Sequence, residues 1–433
     1  MSRPRSARHL QVFMNASRVG TLEREASGRL IFTYHEDWLS RPQAIPISLS
    51  LPLREERYGD DRPLAFFDNL LPDTADIRRR IAQTTGAADA SVFELLRVIG
   101  RDCIGALQLI PEGDPPPARK PVSGQPIGAK RIAAILQGLV VLPQGSEEEP
   151  FRISIAGAQH KTAFLKLENQ WAIPEGSTPT THIFKPPIGK LPNGVDLTSS
   201  VANEWLCLAL TRALGLSVAS AQMHTFHSVP SLVVERFDRR WSSNRKRLHR
   251  IVQEDLCQAL RVPSARKYES HGGPGLRVLM RFLDGSDHRE EDRSTLMRAQ
   301  LVYFLLGAID GHAKNFSIHL TRTGFRLAPL YDILTVWPAV RKNEIPWKQV
   351  KFAMAIGDSR HYDMRSIQRR HWFETAKRCA FDSRVMQRIL DDLLARVDVL
   401  RTSGLRLPKG FPSDLYEATL GGILQQTERF KTQ

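Results

Sequence analysis

The sequence predicts an α+β protein with a sheet-rich first half and a helix-rich second half. Short segments that alternate apolar and polar residues, separated by Gly, Pro and Asn, occur in residues 10–52 and 150–240, as is typical of antiparallel strands. After about residue 250, apolar residues recur at helical spacing, most clearly from Glu374 to Leu400. With 433 residues, of which 42% are hydrophobic, the chain is long enough for about two or three domains with buried cores.

The N-terminal region predicts a small sheet followed by helices. LQVFMN, VGTL, LIFTY and AIPISLSLP predict strands within residues 10–52. FFDNLLPDTADIRRRIAQ and SVFELLRVIG predict helices, and Gly100 marks the end of the second one. CIGALQLIP then predicts one more strand.

A proline-rich stretch suggests the first domain boundary. PEGDPPPARKPVSGQPIG continues neither a helix nor a central strand. We therefore expect an N-terminal domain (1–112), a linker (113–130), a second sheet-rich domain (131–240) and a helical domain (241–433). In the second domain, FRISIAG, KTAFLKLE, QWAIP, THIFKPP and SLVVERF predict strands, and ANEWLCLALTRALGL predicts a helix.

Composition limits the classes of function. Lys and Arg number 61 against 46 Asp and Glu, a net charge of +15, which favours an anionic partner such as nucleic acid, a nucleotide or an acidic protein. Apolar runs fall short of the ~20 residues that a membrane helix needs, and the N-terminus lacks a signal-peptide pattern. We expect a cytoplasmic protein with no membrane contact. The cysteines predict buried, reduced thiols because they stand far apart: Cys103, Cys207, Cys257 and Cys379.

The segment GAIDGHAKNF places polar residues directly after an apolar helix. Asp310 and Asn315 have the D-x-x-x-x-N spacing of a kinase catalytic loop. In such a loop the acid orients or accepts the proton of an attacking hydroxyl, and the amide oxygen binds magnesium. A helix cap followed by a turn is the alternative. Downstream, Asp332 lies in RLAPLYDILTVWP, where we expect a short apolar strand with a buried carboxylate. Such a carboxylate is either a second magnesium ligand or a structural residue.

A small-residue turn between two predicted strands is a candidate phosphate site. Ala156, Gly157 and Ala158 in ISIAGAQHK allow the backbone to approach a ligand closely. An ordinary hairpin turn remains the alternative, since the pattern matches neither common phosphate-loop consensus. Ser154 precedes this turn and would place a hydroxyl beside the phosphate.

Three further positions would complete a nucleotide site. Lys185 in THIFKPPIG is a cation within an apolar strand and could neutralise phosphates, although a surface lysine is equally compatible. Glu204 could hold that lysine or face solvent. Glu235 to Phe237, at the end of a strand, could offer backbone groups to an adenine edge or simply end the strand. Along the chain, the small-residue turn is followed by Lys185, Glu204, Asp310, Asn315 and Asp332. This order of residue types favours phosphoryl transfer.

Taken together, these segments resemble the HipA family of bacterial serine/threonine kinase toxins over nearly the full chain. The segments that carry the resemblance are FFDNLLPD, IGRDCIGALQLIPE, FRISIAGAQHKTAFL, PTTHIFKPPIG, VERFDRRW, QEDLCQAL, KYESHGGPG, DGHAKNFS and LYDI. His160 departs from the pattern, because an acidic residue is usual at that place in the loop.

The resemblance implies an atypical bilobal protein-kinase-like fold that uses ATP and Mg²⁺ as a non-specific serine/threonine protein kinase. It implies Asp310 as catalytic base, Asn315 and Asp332 as metal ligands, and Ser154 as the site of a silencing autophosphorylation. The implied nucleotide-binding residues are Ala156, Gly157, Ala158, Gln159, His160, Lys161, Lys185, Glu235, Arg236, Phe237, His312, Ala313, Lys314 and Asn315.

The resemblance also implies partners. Family members act with a small helix-turn-helix antitoxin, HipB, repress their own operon on operator DNA, and phosphorylate glutamyl-tRNA synthetase, which halts translation and promotes persistence. The basic segment 236–250, together with Lys377 and Arg378, could contact DNA phosphates or form a solvated surface. Two other functions stay open: a catalytically silent, DNA-bound co-repressor, and a kinase for a small molecule or lipid.

Overall fold

The computed structural model describes residues 8–118, 120–138, 159 and 161–432. Its strands are β1 (His9–Met14), β2 (Ser17–Arg24), β3 (Leu30–Tyr34), β4 (Leu107–Pro111), β5 (Gly124–Pro126), β6 (Thr162–Leu167), β7 (Gln170–Pro174), β8 (His182–Lys185), β9 (Gly189–Lys190), β10 (Asp196–Leu197), β11 (Ala221–Phe226), β12 (Val229–Glu235), β13 (Arg239–Trp241), β14 (Leu248–Arg250), β15 (Gln253–Asp255), β16 (Ser317–Leu320), β17 (Phe325–Leu327), β18 (Lys351–Ile356) and β19 (His361–Asp363). Its α-helices are α1 (Glu36–Leu39), α2 (Arg62–Asp68), α3 (Ala75–Thr85), α4 (Val92–Ile99), α5 (Ala129–Gly138), α6 (Ser200–Ala213), α7 (Leu256–Ala259), α8 (Leu276–Phe282), α9 (Arg289–Leu306), α10 (Trp337–Arg341), α11 (Arg369–Arg378), α12 (Ser383–Ser403) and α13 (Ser413–Thr432).

These elements confirm the predicted α+β class, with sheets concentrated in the first half and helices in the second. The chain divides into two units, the first made of Met1–Pro186, His224–Ala265 and Ile318–Thr323, the second of Pro187–Met223, Arg266–Ser317 and Gly324–Gln433. The domain boundaries expected from the sequence stay predictions.

The N-terminal sheet of the first unit has the strand order β3-β2-β1-β4, with antiparallel pairing of each neighbour. The predicted strand AIPISLSLP is wrong, because its residues form only an isolated bridge between Ser48 and Leu51. The buried carboxyl group of Glu254 holds this segment, accepting hydrogen bonds from Ser48 Oγ at 2.5 Å and from the Leu49 amide at 2.9 Å. These bonds replace a strand partner for the segment.

The second sheet of this unit contains the strand order β12-β8-β6-β7-β5. Helix α5 packs on it through Ile132 and Leu136, which share a buried cluster with Phe164 and Phe184. The two phenylalanine rings meet edge to face with 4.8 Å between centroids. Strand β5 falls inside the predicted linker and pairs with β7.

A buried ionic cluster lies beside this sheet, within the first unit. Asp102 accepts hydrogen bonds from Arg239 at 2.9 Å, from Arg236 at 3.2 Å and from Arg250 at 3.2 Å. Asp238 pairs with Arg236 at 2.8 Å and with Arg239 at 3.0 Å. All five residues are at most 9% exposed. Three cations of the basic segment 236–250 are therefore internal to the fold.

Helix α9 forms the centre of the second unit, where α12 and α13 pack against it. Its residues from Leu296 to Leu306 are almost all buried, and Phe304 lies 5.7 Å from Trp372 and 5.4 Å from Phe430 between ring centroids. A helical stretch with apolar residues on most of its faces, as in this half of α9, is stable only inside a core.

The segment of helical spacing from Glu374 to Leu400 forms two helices, α11 and α12, with a break between them. Ala380 adopts a left-handed backbone (φ 47°). Asp382 then caps α12 by accepting hydrogen bonds from the amides of Arg384 at 2.6 Å and Val385 at 3.3 Å. The cap satisfies donors that a continuous helix would have paired internally.

The four cysteines, all among the described residues, are buried thiols outside any disulfide, as predicted. Burial raises the pKa of Cys379 to about 11 and that of Cys103 to about 12, so both thiols stay protonated near neutral pH. Among the helices that the structure describes, none is both long and apolar enough to cross a bilayer.

Candidate active site

The loop that carries Asp310 begins where α9 ends. Gly307 takes a left-handed backbone (φ 62°), and its carbonyl oxygen accepts a hydrogen bond from Val336 N at 3.1 Å. The indole of Trp337 donates to the carbonyl oxygen of Leu305 at 3.0 Å. A Cβ at position 307 would lie 2.8 Å from that indole nitrogen. Both the backbone angle and the close indole therefore require glycine at the end of α9.

The Asp310 to Asn315 segment folds back on itself. The carbonyl oxygen of Asp310 accepts hydrogen bonds from His312 N at 2.8 Å and from Asn315 Nδ2 at 2.7 Å. Asn315 N donates to the His312 carbonyl oxygen at 2.9 Å, which closes a short 3₁₀ turn over Ala313–Asn315. Because Asn315 Nδ2 is bound to Asp310, its amide oxygen Oδ1 points away from that carbonyl group. This is the orientation that a metal-ligating asparagine needs.

The Asp310 carboxylate is accessible, whereas the residues after it are buried. Its side chain is 53% exposed, and His312, whose side chain is 2% exposed, lies with Nε2 3.5 Å from Asp310 Oδ1. The Tyr268 hydroxyl donates a hydrogen bond to the same Oδ1. Ala313 and Lys314 are also buried, with exposures of 0% and 5%. Asp310 thus presents an open carboxylate on a packed loop.

Asp332 lies in a loop, not in the short strand that the sequence predicts. The chain makes one parallel bridge between Val218 and Leu330 and then leaves extended structure. Asp332 is half-buried and has a left-handed backbone (φ 59°), a conformation uncommon for a residue with a side chain and concentrated at functional sites. The sequence could not show this, since periodicity reports burial and not backbone angle.

Tyrosine side chains join the Asp332 loop to the Asp310 segment. Tyr331 Oη donates to the Lys314 carbonyl oxygen at 3.1 Å and lies 2.6 Å from Ser317 Oγ. Tyr303 is buried, and a Cβ on Gly311 would lie 2.6 Å from its ring. Burial, and then the nearby Asp332 carboxylate, raises the pKa of Tyr303. The Asp310 to Asn315 segment and the Asp332 loop are therefore joined within the second unit.

Asn203 on α6 fixes the chain just beyond Asp332. Its Nδ2 donates to the Thr335 carbonyl oxygen at 2.9 Å, and its Oδ1 accepts from Thr335 N at 2.9 Å. The adjacent Glu204 is 3% exposed, so the solvent-facing alternative for this glutamate is wrong. Asn203, Tyr303 and Tyr268 were missed by the sequence reasoning. Of these three residues, Tyr268 alone lies in a segment that carries the family resemblance, KYESHGGPG.

The first unit holds the predicted nucleotide-binding residues that precede α6. Lys185, at the end of β8, is 6% exposed, so the surface alternative for this lysine is wrong. Gln159 Nε2 donates to the Pro186 carbonyl oxygen at 2.8 Å, and Lys161 is half-buried. Five predicted residues lie outside the described residues: Ser154, Ala156, Gly157, Ala158 and His160.

The predicted adenine-contact segment is held in the second sheet of the first unit. Glu235 on β12 pairs with His182 on β8 and is exposed. Arg236 donates its amide to the Thr181 carbonyl oxygen at 2.9 Å, and its guanidinium is part of the ionic cluster. The Phe237 ring lies 5.7 Å from the His319 ring. The adenine contact of Glu235 to Phe237 stays a prediction.

The predicted DNA-contact residues lie at the end of α11 in the second unit. Lys377 is exposed, whereas Arg378 donates to the Gly357 carbonyl oxygen at 2.6 Å and is half-buried. In the 236–250 segment, the exposed cations are Arg240, Arg245, Lys246 and Arg247. Among the basic residues predicted to contact DNA, these four and Lys377 have exposed side chains that solvent or phosphate can reach.

The donor set of the second unit fits a magnesium ion. Asn315 and Asp332 offer an amide and a carboxylate oxygen, which are hard ligands of the kind Mg²⁺ prefers. The buried Tyr303 hydroxyl has no hydrogen-bond partner among the described residues, and it is the group whose pKa responds to Asp332. Such a hydroxyl can bond to a water molecule of a hydrated cation.

Comparison with models of protein families shows which family the chain belongs to. Residues 153–400 match the HipA-like C-terminal domain, and residues 10–110 match the HipA N-terminal domain. The chain belongs to the HipA family. The first match alone spans more than half of the chain, so the resemblance predicted from the sequence is confirmed.

Relatives within and around this HipA family differ in how closely they match. The putative kinase Y4mE of Sinorhizobium fredii is 36% identical over 356 residues, 81% of each chain. The serine/threonine-protein kinase toxin HipA of Shewanella oneidensis is 28% identical over 315 residues, covering 70% of this chain and 69% of the relative. The solved HipA in the complex of Shewanella oneidensis HipA, HipB and operator DNA has a TM-score of 0.78 at 23% identity, covering 98% of this chain and 97% of that one. That likeness confirms the atypical kinase-like α+β fold.

Proposed function

We propose that this chain is an ATP- and Mg²⁺-dependent serine/threonine protein kinase that acts as the toxin of a type II toxin-antitoxin module. The observation that carries the proposal is the Asp310 to Asn315 turn, closed by the 2.7 Å bond from Asn315 Nδ2 to the Asp310 carbonyl oxygen. The 3.1 Å bond from Tyr331, the neighbour of Asp332, to the Lys314 carbonyl oxygen joins the Asp332 loop to this turn. Relatives that bear the names of kinases support the reaction class.

Each residue has a defined task in this proposal. Asp310 accepts the proton of the acceptor hydroxyl through its exposed carboxylate. Asn315 Oδ1 and Asp332 hold Mg²⁺, which neutralises charge on the phosphates of ATP when it is bound. Lys185, buried at the end of β8, binds a phosphate oxygen as a point charge. The protein contributes mainly by positioning and electrostatics, as expected for phosphoryl transfer.

Labelled ATP tests the reaction. Wild-type protein with Mg²⁺ and [γ-³²P]ATP should label itself, and Asp310→Ala should lower the rate by about 10²- to 10⁴-fold, the contribution typical of a positioned base. Asp398→Ala serves as a control, because Asp398 is a half-buried carboxylate on α12 that pairs with Arg401 at 3.3 Å and with Lys431 at 3.6 Å. An Asp310→Ala protein that keeps the wild-type rate, with the same melting midpoint, would refute the assignment.

Self-labelling also tests the predicted regulatory site. We propose Ser154 as the autophosphorylated residue, since two negative charges there would oppose ATP in the adjoining loop. Intact-mass measurement before and after phosphatase treatment should show one phosphate on wild type and none on Ser154→Ala. Retention of that phosphate on the variant would place the modification elsewhere.

The proposed partners follow from the family and from its solved relative. We propose a HipB-like helix-turn-helix antitoxin, binding of the pair to operator DNA, and glutamyl-tRNA synthetase as protein substrate. The solved Shewanella oneidensis complex joins HipA with HipB and operator DNA, which supports the first two. Phosphate transfer to purified glutamyl-tRNA synthetase tests the third. Labelling of a metabolite or lipid, with no protein acceptor, would favour a small-molecule kinase instead.

A silent co-repressor is the rival function. It predicts operator binding without ATP binding or transfer. Two features favour catalysis: Asp310, whose side chain is 53% exposed, and the oxygen ligands of Asn315 and Asp332. A scaffold that only binds DNA has no need of an exposed carboxylate on a packed loop.

A further inference from the structure

The KYESHGGPG segment has no role in the proposed reaction so far, yet one of its side chains touches the catalytic carboxylate. Tyr268 donates its phenol proton to Asp310 Oδ1, across 42 residues of sequence. His312 Nε2 lies 3.5 Å from this same oxygen. Two groups therefore face Oδ1 of Asp310, while the carboxylate as a whole stays 53% exposed.

The Tyr268 ring is held between other rings. It meets His312 edge to face with 4.7 Å between centroids, and it meets His271 at 5.6 Å. The ammonium group of Lys267 lies 5.6 Å from the ring centroid. Aromatic and cation contacts of this geometry are attractive and directional, so they restrict how the phenol can turn.

The backbone of the segment is fixed as well. The Tyr268 carbonyl oxygen accepts hydrogen bonds from His271 N at 3.1 Å and from Gly273 N at 2.9 Å. A Cβ on Gly273 would lie 2.0 Å from the Arg266 carbonyl oxygen, so this turn is compatible only with glycine.

Glu269 ties the same turn to strand β18. Its Oε2 accepts from the Ala355 amide at 2.7 Å, and its Oε1 accepts from Arg360 at 3.1 Å. A Cβ on Gly275 would lie 2.2 Å from the Glu269 carboxyl carbon. The glycines and the glutamate together hold Tyr268 in place beside Asp310.

We propose that Tyr268 is a positioning residue for the phosphoryl transfer. Its hydroxyl fixes Oδ1 of Asp310, so that Oδ2 faces the acceptor hydroxyl and takes its proton. This inference rests on the proposed kinase function. The energetic reason is that a hydrogen bond from a fixed donor prevents rotation of an exposed carboxylate, which would otherwise spend most of its time away from the productive orientation.

Tyr268→Phe tests the proposal, because it removes the hydroxyl and keeps the ring contacts. Loss of one hydrogen bond to a charged group should lower kcat for phosphate transfer by about 10- to 100-fold. The KM for ATP, the affinity for a fluorescent ATP analogue and the melting midpoint should stay at wild-type values. Tyr416→Phe is the matched control. The hydroxyl of Tyr416 also takes part in a hydrogen bond, which Leu405 N donates to it at 3.0 Å. Tyr416 lies on α13 and makes no hydrogen bond to Asp310 among those described.

The outcomes are distinct. A Tyr268→Phe protein with wild-type or higher kcat would overturn the positioning role while leaving the kinase proposal intact. A parallel loss of ATP affinity and melting midpoint would also overturn it, in favour of a structural role. A wild-type protein that transfers no phosphate, while folded, would overturn the kinase function and this inference together.

Discussion

Replacing Asp102 with Asn should strongly destabilise the first unit. Asp102 is the shared acceptor of Arg236, Arg239 and Arg250, at 3.2, 2.9 and 3.2 Å. Burial raises its pKa, but the three guanidinium groups outweigh burial and hold the pKa well below its ordinary value. Asp102→Asn would leave three buried cations with Asp238 as their remaining carboxylate in the cluster.

The size of the loss follows from the burial of the cluster. Removing one partner of a buried ion pair costs about 3–5 kcal/mol, because the remaining charge stays desolvated. An exposed pair contributes about 0–1 kcal/mol. Asp76→Asn is therefore the control in the same unit, since Asp76 pairs with Arg79 and its side chain is 87% exposed.

Urea unfolding at pH 7, followed by circular dichroism and by tryptophan fluorescence, gives the free energy of unfolding for both variants. The pH dependence gives a second measurement. Because the folded-state pKa of Asp102 lies below the unfolded value, its stabilisation is present above about pH 4 and is lost as the pH falls through the folded-state pKa. The difference between wild type and Asp102→Asn should therefore shrink in acid. A loss below about 1 kcal/mol at pH 7, equal to that of Asp76→Asn, would refute the reasoning.

Two further predictions concern other buried polar groups. Asn203→Ala should lower the free energy of unfolding by about 1–3 kcal/mol, since it leaves buried backbone groups of Thr335 unpaired. It should also slow phosphate transfer, because the loop after Asp332 becomes looser. A melting curve and the labelling assay measure these two effects, and unchanged values in both would contradict the role of Asn203. For Glu254, burial raises the pKa from 4.5 to about 8, so the folded state binds the proton more tightly and wild-type stability should fall as the pH rises from about 5 to about 9. Glu254→Gln should remove this fall in urea unfolding series, and an equally steep fall in the variant would contradict the assignment.

Most secondary structure in the described chain could be predicted from local pattern. Strands β6, β7, β8 and β12 and helices α4, α6 and α9 lie where alternation or helical spacing placed them. The remaining differences have causes that periodicity does not report. The AIPISLSLP segment is held by the carboxyl group of Glu254, about 200 residues later in the chain. The helical segment from Glu374 to Leu400 forms two helices, because Ala380 takes a left-handed backbone and Asp382 caps a new helix.

The residues of the candidate site were predicted from the sequence, and their roles stay predictions. The spacing of Asp310 and Asn315 drew attention to a six-residue segment, which the structure folds into a turn. The roles of Lys185 and Asp332 were argued from their chemistry and are also implied by the resemblance to the HipA family. The internal position of three arginines in the basic segment 236–250 was not predictable, since each depends on Asp102, more than 130 residues earlier in the chain.

The sequence by itself determined the α+β class, the family and the residues with suitable chemistry, because these depend on composition, local spacing and order along the chain. The tertiary structure alone decided that Tyr268 contacts Asp310, that Tyr331 joins the Asp332 loop to the Asp310 segment, and that arginines of the basic segment surround a buried aspartate. The physical reason is that hydrogen bonds and ion pairs depend on positions in space, and chain segments far apart in sequence meet only after the core has packed.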